Sequence, residues 1–293
     1  MPGVRGLSVR SRRSEAGGGQ AADPNDEVAR LVAQLTAGHT GEAAGGAPLD
    51  PTVRSKLAAD LSRALAASAK TAGTAAVASG RWLGQVLIDI APHLPLRDRA
   101  TLEAHHGISG EPLADALVRN AVRATTTVGA AGGSMAALHF LLPLSMALIP
   151  LELAAETLLV AAIEVKLVAE LHEVYGVGVG GTPAQRAAAY TAAWSNRRGV
   201  DLARPASAVA ILSSAGRRGV TSAMARRTRR SVWTVFPLFV GAVLAAGANR
   251  RETQRIADTI RIDLRRRRPL TGGITGRVVR GVLGPSGPPA SLN

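Results

Sequence analysis

The sequence predicts an all-α fold, a helical bundle containing two strongly apolar helical segments. Three observations point there. Apolar residues recur every three or four positions along most of the chain, and sustained alternation between turn clusters is nearly absent. Helix-start signals, Asp50-Pro51 and Thr182-Pro183-Ala184-Gln185, precede apolar stretches.

In chain order, residues 1 to about 24 are Gly- and Arg-rich and are expected to be disordered. From Asp26 to Ala37, Val28, Leu31, Val32 and Leu35 fall at helical spacing, and GHTGEAAGGAP then forms a linker. The expected organisation is a mostly disordered region at 1–48 with one short helix, a helical domain at 49–268 and a disordered tail at 269–293. After Pro51, the stripe Val53, Leu57, Leu61 and Leu65 builds a helix that continues through Ser79 with an interruption at Gly73. A short apolar run after Trp82 ends at Pro92 and Pro95. A helix opening at Glu111-Pro112 runs through Leu113, Leu117, Val118 and Val122 into the longest uncharged stretch, Ala124–Leu151.

The next helix, Leu151 to Gly176, sets Glu152, Glu156, Lys166, Glu170 and Glu173 within an arc of about 100°, Glu164 at its border and aliphatic residues over much of the rest. That pattern predicts a bundle helix with one narrow, solvated polar stripe on which Lys166 and Glu170 pair across a turn. Gly176 stands where a left-handed C-cap is expected. A capped helix follows from Thr182 toward Trp194, and a second apolar run spans Ser231–Asn249. From Asn249 to Arg268, Thr253, Ile256, Ala257, Ile260 and Leu264 share one face, with arginines over much of the remainder.

Composition narrows the chemistry. The chain has no cysteine, which removes disulfides, thiolate zinc sites and cysteine nucleophiles. Aromatics are 3% of residues, so Ala, Leu and Val must build the core. The formal charge of +14 suits an anionic partner, although the predominance of Arg over Lys also matches a GC-rich bacterial coding sequence. His93, His105, His106 and His139 show no ligand spacing, and His172 follows Glu170 by two residues where a di-iron bundle needs three. GVGVGG at 176–181 follows a helix, whereas a dinucleotide loop follows a strand. No catalytic, cofactor or metal residue is assigned, and the expectation is a non-enzyme.

Charge placement around the two apolar runs is more informative. Both reach the length of about 20 residues that a span needs. Arg123 precedes the first run and Glu152 follows it, whereas the second has arginines at both borders, Arg229 and Arg230 before and Arg250, Arg251 and Arg255 after. Two simple spans would leave one arginine cluster on the wrong side of the membrane. Re-entrant hairpins, a helical body lying on the cytoplasmic leaflet, or a soluble bundle burying both runs would avoid the conflict. The first two are favoured. They place Val128, Met135, Leu138, Phe140, Leu141 and Leu148 of the first run against lipid, with Trp233, Phe236, Phe239 and Val243 of the second. Arg229, Arg230, Arg250, Arg251 and Arg255 then meet acidic headgroups, and Gly129, Gly133 and Gly241 serve helix packing. The alternative is a soluble basic helical protein that binds nucleic acid, disfavoured because no stacking aromatic or known module is visible.

The helix LADALVRNAVRATTTVGAAGG, the apolar run ending in Pro150, the helix closing in Glu173-Val174-Tyr175-Gly176, and VFPLFVGAVLAAGAN near the C-terminus together resemble the EcsC family of bacterial membrane-associated helical proteins. Within the last segment Pro237, Gly241 and Asn249 follow the family's pattern, whereas Glu152 stands one place away from an acid expected after the mid-chain proline. A membrane domain of some GTPase-associated proteins shares the helix ending in Tyr-Gly. The resemblance implies a structural or regulatory role on the cytoplasmic side of the cell membrane, accessory to a transport or secretion system. Its implied partners are lipid and other membrane proteins, and no catalytic residue transfers from it.

Overall fold

The computed structural model describes residues 23–41, 49–78, 80–139, 149–199 and 236–267, with the backbone alone at 78, 132–139, 149–150, 236–242 and 244. Every regular element among them is helical. The first two helices start on the same device: α1 (Pro24–His39) and α2 (Pro51–Ala72) each carry proline in the first turn, and Asp23 and Asp50 accept backbone N–H groups there. Two short helices, α3 (Thr74–Ala78) and α4 (Arg81–Ile90), lead through a 3-10 turn at Ala91–His93 to α5 (Arg99–His106).

Three long helices form the frame: α6 (Gly110–His139), α7 (Ile149–Val174) and α9 (Phe236–Arg267). Between α7 and α9 lies α8 (Pro183–Arg198), which opens on the expected capping box between Thr182 and Gln185. Gly176 ends α7 at φ +70°, a conformation that a Cβ makes costly, while Val177 N–H donates to the His172 carbonyl.

Helix α6 runs antiparallel to α9. Glu111 meets Arg265, Asp115 meets Arg261, Thr125 meets Thr253, and Gly129 lies against Ala245. Tyr175 beside Glu111 shows that α7 is also antiparallel to α6. The 30 residues of α6 and 32 of α9 correspond to rods of roughly 45–48 Å at the usual rise. Helix α7 is central, and residues 158–171 are buried at every position.

The structure refines the expected organisation. The short N-terminal helix is not an outlier: Val28, Leu31, Val32 and Leu35 are fully buried in the common core, so α1 is part of the same folded body. The reason is its apolar stripe, which α2, α4 and α7 cover. The described parts of the uncharged stretch Ala124–Leu151 fall on two antiparallel helices, α6 and α7. From Phe236 the second apolar run and the arginine-rich helix are continuous as α9. Among the described residues no helix is long and apolar enough to cross a membrane.

The antiparallel register brings the uncharged part of α6, from Ala124, against the uncharged part of α9, up to Asn249. The described parts of both charge-free tracts therefore occupy one end of the frame, to which the start of α7, with Glu152 and Glu156, also belongs. The opposite end carries Glu111, Asp115, Arg261 and Arg265 in a network of ion pairs.

Candidate functional site: a polar seam beneath a charge-free end

The polar stripe of α7 faces inward. Glu164, Lys166 and Glu170 are 0%, 1% and 3% exposed, which overturns the solvated stripe expected from the sequence. Burying a charge is tolerable only when ion pairs and hydrogen bonds replace its water. Each of the three meets that condition with partners that include residues far away in sequence.

Arg198, at the C-terminal end of α8, donates from Nε and Nη2 to both oxygens of Glu164 at 2.9 Å. Trp194 Nε1 donates to Glu164 at 2.8 Å, and so does Thr253 Oγ1 of α9. The Thr253 hydroxyl is also 3.0 Å from that of Thr125 on α6, so one carboxylate ties four helices together. One turn farther along α7, Lys166 pairs with Glu170 and donates to the Pro95 carbonyl at 2.8 Å, while Arg97 approaches Glu170 at 3.4 Å. The Lys166–Glu170 pair thus exists, in the interior and not in solvent.

Toward the charge-free end the seam changes character. Glu156 is partly buried, and its side-chain partner among the described residues is the neutral amide Asn249 Nδ2 at 3.3 Å. The same nitrogen lies 3.3 Å from the Thr125 carbonyl. Burial raises the Glu156 carboxyl from the ordinary carboxylate range to about 7, and the Asn249 hydrogen bond only partly opposes it. Gly129 makes this geometry possible. A Cβ there would stand 2.5 Å from Asn249 Nδ2 and 2.9 Å from the Ala245 carbonyl oxygen, so α6 and α9 approach closely only over a glycine.

At the far end Glu111 accepts from Arg265 at 2.7 and 2.9 Å, from Arg261 at 2.7 Å and from the Tyr175 hydroxyl at 2.9 Å. Arg265 leads the causes that hold its carboxyl down to about 2.

Beside the charge-free end, Arg123 on α6 and Arg250 and Arg251 on α9 are the first charged residues of their helices, and all three are exposed. Arg119 and Arg255 lie a turn farther away, also exposed. None of the five has an ion-pair partner among the described residues, in contrast to Arg261 and Arg265.

The residues expected at a lipid surface divide accordingly. Val128 is a correction: it is 5% exposed and belongs to the hydrophobic core, because α6 presents it inward. Val243 is 68% exposed on α9. Arg250, Arg251 and Arg255 lie on the outer face of α9, and Gly129 lies in the α6–α9 contact. Met135, Leu138 and Gly133 of α6, and Phe236, Phe239 and Gly241 of α9, have their backbone in the charge-free end. Phe140, Leu141, Leu148, Trp233, Arg229 and Arg230 lie outside the described residues.

Sequence reasoning missed Arg198, Trp194, Thr125, Asn249 and Arg97 as partners of the seam. One signal was present: Thr253 is a polar residue on an otherwise aliphatic face of α9, and such a residue is tolerated there when something inside bonds it. Among the described residues no three His, Asp or Glu side chains gather as a metal site would require. Compared with known protein families, curated proteins and solved structures, the chain has no match.

Proposed function

We propose that the chain is a non-enzymatic, membrane-associated helical protein that enters the cytoplasmic leaflet by its charge-free end and serves a structural or regulatory role. One observation supports this above the others: the antiparallel register of α6 and α9 gathers two charge-free tracts, distant in sequence, at one end of the frame. In α6 the uncharged helix from Ala124 to His139 is about 23 Å long, and in α9 that from Phe236 to Asn249 is about 20 Å. Half a bilayer's hydrocarbon is about 15 Å thick, so the described length of each segment suffices for one leaflet with its interface.

Arg119, Arg123, Arg250, Arg251 and Arg255 stand just outside that end without acidic partners among the described residues, where lipid phosphates would lie. Arginine forks suit phosphate oxygens, and a basic residue near such a surface contributes about 1 kcal/mol. The resemblance to EcsC-type proteins agrees with this reading.

The test is flotation of the full chain with vesicles of phosphatidylcholine, with and without phosphatidylglycerol. Binding is expected to both, tighter to the anionic vesicles. The variant Arg250→Glu/Arg251→Glu/Arg255→Glu should lose more than a hundredfold of that preference at low salt, three contacts of roughly 1 kcal/mol plus repulsion. A detergent-free, monodisperse chain that floats with neither vesicle would overturn the proposal. Steeply salt-dependent binding to DNA in place of lipid would favour the nucleic-acid alternative.

A further inference from the structure

We propose that Glu156 gates membrane entry: as the neutral acid it lets the charge-free end enter the leaflet, and as the carboxylate it holds that end out. This rests on the membrane reading above and adds its regulation.

Three acids of α7 point into the seam, and among the described residues only one of these three lacks a cation. Glu164 has Arg198, and Glu170 has Lys166 and Arg97. Glu156 has one amide N–H, shared with a backbone carbonyl. It also sits at a different height, beside the uncharged stretches that begin at Ala124 on α6 and end at Asn249 on α9.

Among the described residues, α6 and α9, which meet at Asn249 beside it, bring few charged groups near it. On α6, residues 124–138 carry no ionisable side chain; Arg123 lies on the solvent side of Thr125, and His139 ends the helix. On α9, residues 236–249 carry none, and Arg250, Arg251 and Glu252 follow immediately. On α7 itself, Glu152 is one turn nearer the tip and Glu164 two turns farther in. Glu156 therefore lies, with Glu152 a turn nearer the tip, where α6 and α9 carry no charge, and it is held by a partner that satisfies either protonation state. The Asn249 amide donates to the carboxylate, and on rotation its oxygen accepts the proton of the acid.

A carboxylate entering hydrocarbon must shed its water with no cation to replace it, whereas the acid sheds far less. Burial already shifts the group to about 7, so modest acidification changes its state. The membrane supplies some of that itself. A surface at about −30 mV concentrates protons and lowers the local pH by roughly half a unit. Approach to an anionic leaflet thus promotes the protonation that entry requires.

Flotation of the full chain with vesicles containing phosphatidylglycerol, at constant ionic strength from pH 5.5 to 8.5, tests this. Wild-type binding should fall about thirtyfold across the range, the change in the neutral fraction of a group titrating near 7. Glu156→Gln should bind at pH 8.5 as the wild type binds at 5.5, with little slope. His139→Gln should keep the slope, and Asn249→Ala should move the midpoint upward, because the carboxylate loses its one donor. Far-UV circular dichroism of each variant confirms that it is folded. A wild type that binds with no slope, or a Glu156→Gln chain that retains it, overturns the gate and leaves membrane binding intact. A slope abolished by His139→Gln assigns the titration to the histidine and also overturns the gate. A wild type that binds at no pH overturns the membrane reading itself.

Discussion

Replacing Glu164 by leucine removes a fully buried carboxylate that accepts four hydrogen bonds, two from Arg198, one from Trp194 and one from Thr253. The leucine fills much of the volume, so the cost comes from the donors left behind. Breaking a buried pair by removing one partner typically costs about 3–5 kcal/mol, because the other charge is stranded. Arg198 retains some solvent access, its side chain being 15% exposed, and part of its charge can turn outward. That argues for the lower part of the range, about 3 kcal/mol. In a folded body of this size each kcal/mol is worth about 2–4 °C, so Tm should fall by about 6–12 °C. Urea unfolding followed by Trp194 emission gives the same quantity at 25 °C. The double variant Glu164→Leu/Arg198→Met strands no charge and should recover at least about 1.5 kcal/mol of the loss. A solvated stripe on α7 would behave differently, since surface substitutions fall within about ±0.5 kcal/mol. Both variants within that margin of wild type would refute the buried seam.

The remaining predictions concern the two ends of the frame. Glu156 has a raised carboxyl in the folded chain, so its contribution to stability is fully present below about pH 4.5 and is lost as pH rises through about 7. Over that window the wild type should lose roughly 1–3 kcal/mol relative to Glu156→Gln, as read from unfolding midpoints at pH 5 and 8. Glu111 carries the opposite sign: its depressed carboxyl contributes stability above about 4.5 that is lost as pH falls toward about 2. Its side chain is 40% exposed, so solvent screening limits the effect to roughly 1 kcal/mol, which Glu111→Gln should abolish in acid titrations of folding. Gly129→Ala adds about 1 kcal/mol of helix propensity but drives a Cβ into the Ala245 carbonyl. Overpacking should win, with a net loss of about 1–2 kcal/mol in urea unfolding.

Much of the fold was legible because helix starts and stripes are local. The proline-first turns, the Thr182 capping box and the Gly176 cap each involve contacts within a few residues. The face Thr253, Ile256, Ala257, Ile260 and Leu264 is buried at all five positions, since a stripe that narrow can serve only one interface. Periodicity could not show whether a second element covers a polar stripe. On α7 the covering groups come from Arg97 on one side of the sequence and from Arg198 and Thr253 on the other, and no spacing rule links them to Glu164 or Glu170. The same limit explains why the N-terminal helix was set apart: its stripe was visible, but its target was not.

The polar seam and the charge-free end belong to one design. A helix buried at every position from 158 to 171 would, if wholly aliphatic, pack in many nearly equivalent rotations, because a low-aromatic core of Ala, Leu and Val offers few distinctive shapes. Glu164 accepts from α8 and α9 at once, and Thr253 carries that link to Thr125 on α6, so one rotation of α7 satisfies the set. Rotating α7 by a single residue, about 100°, would strand the carboxylate and its donors together. With α7 fixed in this way, Glu156 must face Asn249 at the level where the ionisable groups of α6 and α9 run out. The position of the acid in the charge-free layer therefore follows from the ion pair two turns away. Glu164→Leu/Arg198→Met, stable but freed to rotate, should lose the pH dependence of vesicle binding even though Glu156 is intact. A double variant that kept both its stability and the wild-type slope would show that the seam does not set the gate.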